Sequence, residues 1–449
     1  MIFWYSMGVL EKNSILLGTV TDQGKKGEGL LWQNDVPVYI PNCIPGDEIE
    51  FKLIKVDKRR AFGKLLRVMA PSSDRVDAKC SVALQCGGCQ LQHQSQMSQV
   101  SFKSNLLVSR LSRFVDLSNV LVKPMLSGDR QWATRNKMQF AFGQGDNGLE
   151  IGLYAPRSHR VVNMDYCDIM SNSMNQVLVA IRSWHSQAQV PVFNEITGEG
   201  TLRHVTLRHS YVSGELMVIL TVSTSFEMDS FIDAVRQVDG VTSVYVSYQA
   251  DPQNDQVLGE KMTLVWGESV IHDVVCGTTC HVSPKTFMQA NAMLVNTLYQ
   301  TLMKSLDVQG TLVDLYCGAG VLTCALARHY DQVIGVDNNE SAIEDAKLNA
   351  QKNGLSVDFV CNDAGDFLRA YSDEKMTIIV DPPRQGLAIV ADMLAKCPNQ
   401  IIYVSCYPDT LGRDLRQFVE GGYVIDSIQG VDMFCHTPHI ECIAVLSLK

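Results

Sequence analysis

From residue 286 onward, short apolar runs alternate with stretches in which apolar positions recur every three to four residues. The runs lie in "GTLVDLYCG", "QVIGVD", "VDFVCND", "MTIIVDPP", "IIYVSC", "YVIDSIQGVDMF" and "CIAVLSL". They are rich in β-branched residues and bounded by turn formers, so they predict strands, and the periodic stretches between the earlier ones predict helices. Strands and helices in alternation imply a doubly wound α/β domain. Residues 13–70 read differently. "ILLGTV", "GLLWQ", "VPVYIPN", "EIEFKLIKV" and "FGKLLRV" are separated by "DQGKKGEG", "CIPGDE" and "DKRRA". Five short strands at this spacing predict a small β-barrel of the OB type. Residues 96–115 have the pattern of an amphipathic helix. Between about 130 and 265 strand-like pieces dominate, with helical stretches near 171–187 and 227–237, a mixed α+β pattern. The expected division is therefore a barrel over 10–70, a central domain over 74–265 and an α/β domain over 266–449.

Composition narrows the function. Of the 449 residues, 46% are hydrophobic and 19% charged, the profile of a globular protein with a real core. No apolar run reaches the length of a membrane span. The apolar start "MIFWYSMGVLEKN" has no basic leading region and no small-residue cleavage site, so it reads as a packed or frayed terminus and not as a signal peptide. The expected location is the cytoplasm, where fourteen cysteines are reduced thiols, metal ligands or catalysts. The net charge of −10 argues at face value against a nucleic-acid partner, but it is unevenly spread. Residues 1–210 carry 24 Lys and Arg against 18 Asp and Glu, and residues 211–449 carry 14 against 30. Within 51–67 there are seven basic residues (Lys52, Lys55, Lys58, Arg59, Arg60, Lys64, Arg67) and one acid, Asp57. Binding to a polyanion depends on local basic surface and not on the total, so a barrel carrying this run is a candidate RNA-binding module, although a solvated strand face gives the same pattern.

Four motifs carry candidate chemistry. In "VDLYCGAGVLT" a strand reaches Asp314 and a turn with Gly318 and Gly320 opens a helix, which lets backbone approach a ligand at the strand's carboxyl end. The next strand ends in Asp337, placed to accept hydrogen bonds from ribose hydroxyls. NAD and S-adenosylmethionine both suit this pair, but Thr323 occupies the third glycine position of the dinucleotide fingerprint, which disfavours NAD. In "IIVDPPRQGL" a strand ends in Asp381, and two prolines stiffen the turn that presents it together with Arg384. Cys406 follows the next strand in a loop fixed by Pro408, and Glu441 precedes the last one. Each alone is ordinary, a packed thiol and a surface acid. Beside Asp381 they would share one rim of the sheet, with His436 and His439 either orienting Glu441 or serving structure. Finally, "CSVALQCGGCQLQH" places Cys80, Cys86 and Cys89 at C-x5-C-x2-C spacing, with Cys167 as the best fourth ligand and His93 as an alternative. Four thiolates suit zinc or an iron–sulfur cluster, and the absence of paired C-x2-C knuckles leans toward the cluster.

Together these segments resemble the RNA uracil-5-methyltransferases that use S-adenosylmethionine, over nearly the whole chain. The resemblance implies a C-terminal Rossmann-like methyltransferase domain, an N-terminal TRAM barrel and a central domain carrying a [4Fe-4S] cluster on Cys80, Cys86, Cys89 and Cys167. "FMQAN", "DLYCGAG", "VIGVD" and "DPPRQGL" resemble the cofactor motifs and imply Gln289, Tyr316, Asp337 and Asp381 as contacts, with Asn362–Asp363 of "VCNDA" near the adenine. "VSCYPDTLGRDL" resembles the nucleophile motif and "TPHIE" the base motif, implying Cys406 and Glu441 as catalytic residues. The barrel and cluster together resemble the branch acting on 23S ribosomal RNA, and the same residues would serve on tRNA or on two ribosomal sites. Arg135 and Lys137 of "TRNKMQFAFG" are expected to grip the RNA backbone, and the protein is expected to work as a monomer without an obligate protein partner. The chain departs from the family pattern at Asp337, where Glu is usual, at Val321 in the glycine loop and at Cys435, commonly Pro. None of the three removes a group the reaction needs.

Overall fold

The computed structural model describes residues 10–146, 148–254, 256–307, 310–372 and 376–449. The start of the chain, residues 1–9, lies outside them. Two compact units are present, Met1–Leu106 with Cys435–Pro438, and Leu107–Phe434 with His439–Lys449.

In the first unit six strands form one sheet: β1 (Ile15–Thr19), β2 (Asp22–Gln23), β3 (Gly29–Gln33), β4 (Val36–Ile40), β5 (Glu48–Asp57) and β6 (Arg60–Ala70), in the order β1-β5-β6-β4-β3-β2. This is one strand more than the five expected, and β5 and β6 are long, 10 and 11 residues. Alternation explains the length of β5: Ile49, Phe51 and Leu53 are buried in the sheet's core with Val20, Leu31, Val38, Ile40 and Ala61. The basic run lies on the opposite face and at the hairpin tip, where Lys55, Lys58, Arg59, Arg60, Lys64 and Arg67 are exposed. Asp47, fully buried, takes a forked pair of hydrogen bonds from Arg75 and accepts the N–H groups of Ile44 and Ser72, which ties the entry of β5 to the chain leaving β6. Helix α1 (Gln96–Leu111) ends four residues before the expected 115. The N–H groups of Arg113 and Phe114 turn back to carbonyls three residues away, which tightens the last turn and closes the helix.

The second unit contains two large sheets. Strand β7 (Leu121–Leu126) is an outlier, since it joins the sheet formed by the C-terminal third of the chain. Strands β8 (Lys137–Gly145), β9 (Gly148–Tyr154), β10 (Val161–Asn163), β11 (Leu202–His209), β12 (Leu216–Val222), β13 (Val241–Tyr248) and β14 (Lys261–Gly267) form a seven-stranded sheet in the order β10-β9-β8-β11-β12-β13-β14. Helices α2 (Asn172–Ala188) and α3 (Asp229–Val235) pair through Trp184 and Phe231, whose rings meet edge to face at 5.1 Å. Strand β11 is buried along its whole length although it reads "LRHVTLRH". Its Arg208 is accommodated by the carbonyls of Ser283, Pro284 and Thr286. A hairpin, β15 (Ile271–Val275) and β16 (Thr278–Val282), leads to α4 (Val295–Ser305).

Next come β17 (Thr311–Leu315), α5 (Val321–Leu326), β18 (Gln332–Asp337), α6 (Glu340–Lys352), β19 (Asp358–Cys361), α7 (Ala364–Ala370), β20 (Met376–Val380), α8 (Val390–Lys396), β21 (Gln400–Ser405), α9 (Pro408–Glu420), β22 (Tyr423–Val431) and β23 (Glu441–Leu448). The sheet order is β19-β18-β17-β20-β21-β23-β22-β7, with β17 to β21 mutually parallel and β23 antiparallel to both its neighbours. Strands β17, β20 and β21 are near-continuous apolar runs because helices cover both faces. The chain winds outward in both directions from β17, so the carboxyl ends of β17, β18 and β20 flank the switch point where such sheets bind ligands.

Candidate active site

The switch point is built by backbone conformation. Tyr316, Gly318 and Gly320 all have positive φ, of 65°, 54° and 68°, so the loop after β17 turns sharply into α5. A Cβ on Gly320 would meet the Phe359 ring at 2.6 Å, whereas one on Gly318 would meet nothing within 4 Å. The first glycine lets the loop pack on its neighbour strand, and the second leaves open space at the sheet's edge. Asp337, at the end of β18, accepts the Gly318 N–H at 2.9 Å and the Asn339 N–H at 2.9 Å, one on each oxygen. Its carboxylate is thereby fixed beside the glycine loop with lone pairs to spare for hydroxyl donors. The Asn362 N–H donates to the Asp337 carbonyl, and Asp363 caps α7 by accepting from Gly365 and Asp366, so both lie along the same edge. Beneath the loop the buried Asp314 accepts from the Thr323 hydroxyl, and burial pushes its carboxyl up to about 7.

At the neighbouring strand end, Asp381 accepts from Gln289 Nε2 at 3.1 Å. Gln289 is held in turn by Asn136, whose Nδ2 donates to the Gln289 carbonyl at 2.8 Å. The segments "TRN" and "QANA" run alongside each other: the Asn136 N–H bonds the Ala290 carbonyl, and the Ala292 N–H bonds the Thr134 carbonyl. The Arg135 guanidinium lies 5.4 Å from the centre of the Phe434 ring, and burial beside Arg208 pushes the Lys137 ammonium down to about 8. This segment, expected to grip RNA, builds the mount for Gln289. Asn136 is the residue that sequence reasoning passed over, and no local pattern distinguishes it from a polar strand residue.

Cys406 and Glu441 are neighbours. Register pairs Ser405 with Cys442 across β21 and β23, so Cys406 leaves β21 beside the start of β23, where the charge of Glu441 acts on its thiol. Pro408 stands at the first turn of α9, so the expected loop after Cys406 is a helix start. Glu441 is 2% exposed, and its Oε1 has no hydrogen-bond partner among the described residues. Burial, then the charge of Asp381, hold this carboxyl well above the usual range, and Arg384 works against them. Burial likewise raises Asp381, opposed by the Gln289 hydrogen bond. Burial and the nearby Glu441 push the Cys406 thiol up, while a hydrogen bond and the charge of Arg384 pull it down. A buried acceptor left open beside a half-buried thiol is unusual for packing alone. His439 packs edge-on against Phe434 at 6.1 Å, and His436 belongs to the first unit.

The cysteine motif is divided between the units: Cys80, Cys86 and Cys89 lie in the first and Cys167 in the second. All four are free thiols. The Gly88 N–H donates to Cys86 Sγ at 3.3 Å, and burial, with a contribution from Cys80, raises the Cys86 thiol. Cys167 is buried, with its N–H on Asn175 Oδ1 at 2.8 Å. Among the described residues no three His, Cys, Asp or Glu side chains are gathered as they would be around a metal ion. No helix among them is long and apolar enough to cross a membrane.

Residues 278–449 match the family model of the tRNA (uracil-5-)-methyltransferases. An uncharacterised RNA methyltransferase of Halalkalibacterium halodurans is 34% identical over 451 residues, covering 98% of each chain. One from Oceanobacillus iheyensis is likewise 34% identical, with 98% of each chain covered. Among solved structures, the Pyrococcus abyssi tRNA (uracil-54, C5)-methyltransferase in complex with S-adenosyl-L-homocysteine superposes with a TM-score of 0.78 at 27% identity, covering 96% of this chain and 100% of that one. With the glycine loop, the strand-end carboxylates and the neighbouring thiol and acid in place, the chain belongs to the RNA uracil-5-methyltransferase family and is an S-adenosylmethionine-dependent RNA methyltransferase.

Proposed function

We propose that the protein methylates carbon 5 of a uridine in 23S ribosomal RNA through a transient bond between Cys406 and carbon 6 of the base. The observation that carries this reading is the open Glu441 oxygen beside Cys406. Carbon 5 of uracil is too weak a nucleophile to take a methyl group unaided. Addition of the Cys406 thiolate to carbon 6 moves the ring's electron pair onto carbon 5 as an enolate. Arg384 draws the Cys406 thiol down and so favours the thiolate. S-adenosylmethionine, when bound, supplies an electrophilic methyl group. The open space over Gly318 and the fixed carboxylate of Asp337 fit its binding, and Tyr316, Asp363, Gln289 and Asp381 border the same edge. Once carbon 5 carries the methyl group, Glu441 takes the proton from it, and the electron pair left behind expels Cys406 as thiolate. A uridine must leave its stack to reach this rim, so a loop or bulge is the substrate.

The ribosomal target is supported by the N-terminal sheet, which carries the basic face of a TRAM-like RNA-binding module, and by the cysteine motif. A tRNA target is the second reading, favoured by the Pyrococcus abyssi neighbour, whose name specifies tRNA. Transcripts of 23S RNA and of tRNA labelled with tritium at uridine carbon 5 separate the two. Release of tritium from the ribosomal transcript alone, at one position, is expected. Release from tRNA alone overturns the ribosomal assignment, and release from two ribosomal positions makes the enzyme dual-site. The action is that of a monomer in the cytoplasm.

The donor chemistry of Cys80, Cys86, Cys89 and Cys167 fits a [4Fe-4S] cluster: four reduced thiols, one already accepting a backbone N–H as cluster sulfurs do. In our reading they hold such a cluster in a structural role, since the methylation balances without an electron donor. Protein purified without oxygen is expected to carry about four iron atoms per chain, and Cys86→Ala to lose them. Folded, cluster-free protein that binds RNA but no longer methylates it overturns the structural role.

A further inference from the structure

A buried carboxylate lies under the loop that carries Arg384. Asp414, in α9, is fully buried. Its Oδ2 accepts the Tyr403 hydroxyl at 2.7 Å and the Leu387 N–H at 2.8 Å, and its Oδ1 accepts Arg413 Nε at 2.7 Å. The same helix face holds the rest of the loop. Arg413 Nη2 donates to the Gln385 carbonyl at 2.9 Å, and the Thr410 hydroxyl donates to the Arg384 carbonyl at 3.2 Å. Gly386 sits at φ +78°, and a Cβ there would meet Asp414 Oδ2 at 2.5 Å and Arg413 Nη2 at 2.6 Å, so backbone and carboxylate are in direct contact. Every part of this contact is tied to the nucleophile. Tyr403 lies three residues before Cys406 in β21, and α9 begins two residues after it. Arg384, at the head of the clamped loop, is among the groups that draw the Cys406 thiol down.

We propose that Asp414 is a positioning residue for the nucleophile: its carboxylate clamps the 384–387 loop to α9, whose start follows Cys406, and so keeps Arg384 beside the thiol. The proposal rests on the reading of Cys406 as the nucleophile. Only a carboxylate satisfies the site. Arg413 Nε and the Leu387 N–H can only donate, so the two oxygens must both accept. An amide in place of the carboxylate turns one N–H pair against a donor and releases the loop. Arg384 is exposed, so solvent moderates the effect of losing it from beside the thiol.

The test is the pH profile of Cys406 alkylation by iodoacetamide, read by mass mapping of the Cys406 peptide, with the exposed Cys397 as internal reference. Asp414→Asn is expected to move the Cys406 midpoint upward by about half a pH unit and to slow alkylation at pH 7 about threefold. Arg384→Ala is expected to give the same shift, and the double variant no further shift, because both act through one contact. Tyr403→Phe, which keeps the carboxylate and two of its donors, carries the test if Asp414→Asn fails to fold; a smaller shift in the same direction is expected. An unmoved Cys406 profile in a folded variant, or shifts that add in the double variant, overturns the proposal, since a purely structural carboxylate leaves this thiol unchanged or merely more accessible. The underlying reading fails separately: it is lost if Cys406→Ala still methylates RNA.

Discussion

Cys406→Ala is expected to lose methyl transfer by at least about a thousandfold while keeping its fold and its affinity for RNA and S-adenosylmethionine. The size follows from the chemistry. Without a nucleophile on carbon 6 the ring stays aromatic, carbon 5 has no electron pair to offer, and positioning alone cannot create one. The small structural effect follows from the site. Cys406 is half-buried at the exit of β21, outside the apolar core formed by Ile402, Val404, Ile443 and Val445, so removing its sulfur leaves no cavity in the sheet. RNA containing 5-fluorouridine gives the direct readout. Fluorine at carbon 5 cannot leave as a proton, so the methylated adduct stays bonded to the protein and migrates as a denaturant-stable complex. The wild-type protein is expected to form it only with the methyl donor present, and Cys406→Ala to form none. Residual turnover within tenfold of wild type, or trapping by Cys406→Ala, removes the thiol from the mechanism.

Much of this site is legible along the chain, and the rest is not, for a physical reason. The glycine loop, Asp337, Asp381 and Cys406 each terminate a strand whose apolar period is local, so the strand and its functional end are read together. Glu441 is different. Its place beside Cys406 depends on β23 inserting between β21 and β22, a sheet order 21-23-22 that departs from the chain order and leaves no local trace. The same holds for β7, which lies some three hundred residues from its partner β22 yet pairs with it in parallel. The segment "TRNK" carries the two basic residues expected to grip RNA, and between them the Asn136 amide makes a second contact, to the Gln289 carbonyl, that no local pattern announces. Long-range polar contacts of this kind, Asp414 among them, are set by tertiary geometry, and single-residue patterns do not carry it.

Glu441→Gln is expected to separate methyl transfer from release. Gln cannot take the carbon 5 proton, so each molecule should transfer about one methyl group and then stall as a covalent complex, with steady turnover down by at least about a hundredfold. The isosteric amide keeps the packing of β23, so the stall does not report misfolding. Stability gives an independent check with a definite sign. Burial and Asp381 raise the Glu441 carboxyl above its unfolded value, so the folded state binds this proton more tightly. Stability is then lost as pH rises from the unfolded value toward the folded one, because the unfolded chain releases the proton first. Replacing the acid by a neutral amide removes that loss. The Gln variant should therefore melt above wild type at pH 8, with the difference shrinking as pH falls toward 5. A variant that turns over at the wild-type rate assigns the proton to another base, with Asp381, whose charge acts on Glu441, the next candidate, and a stability difference independent of pH shows that Glu441 is not held in the raised state on which its basicity depends.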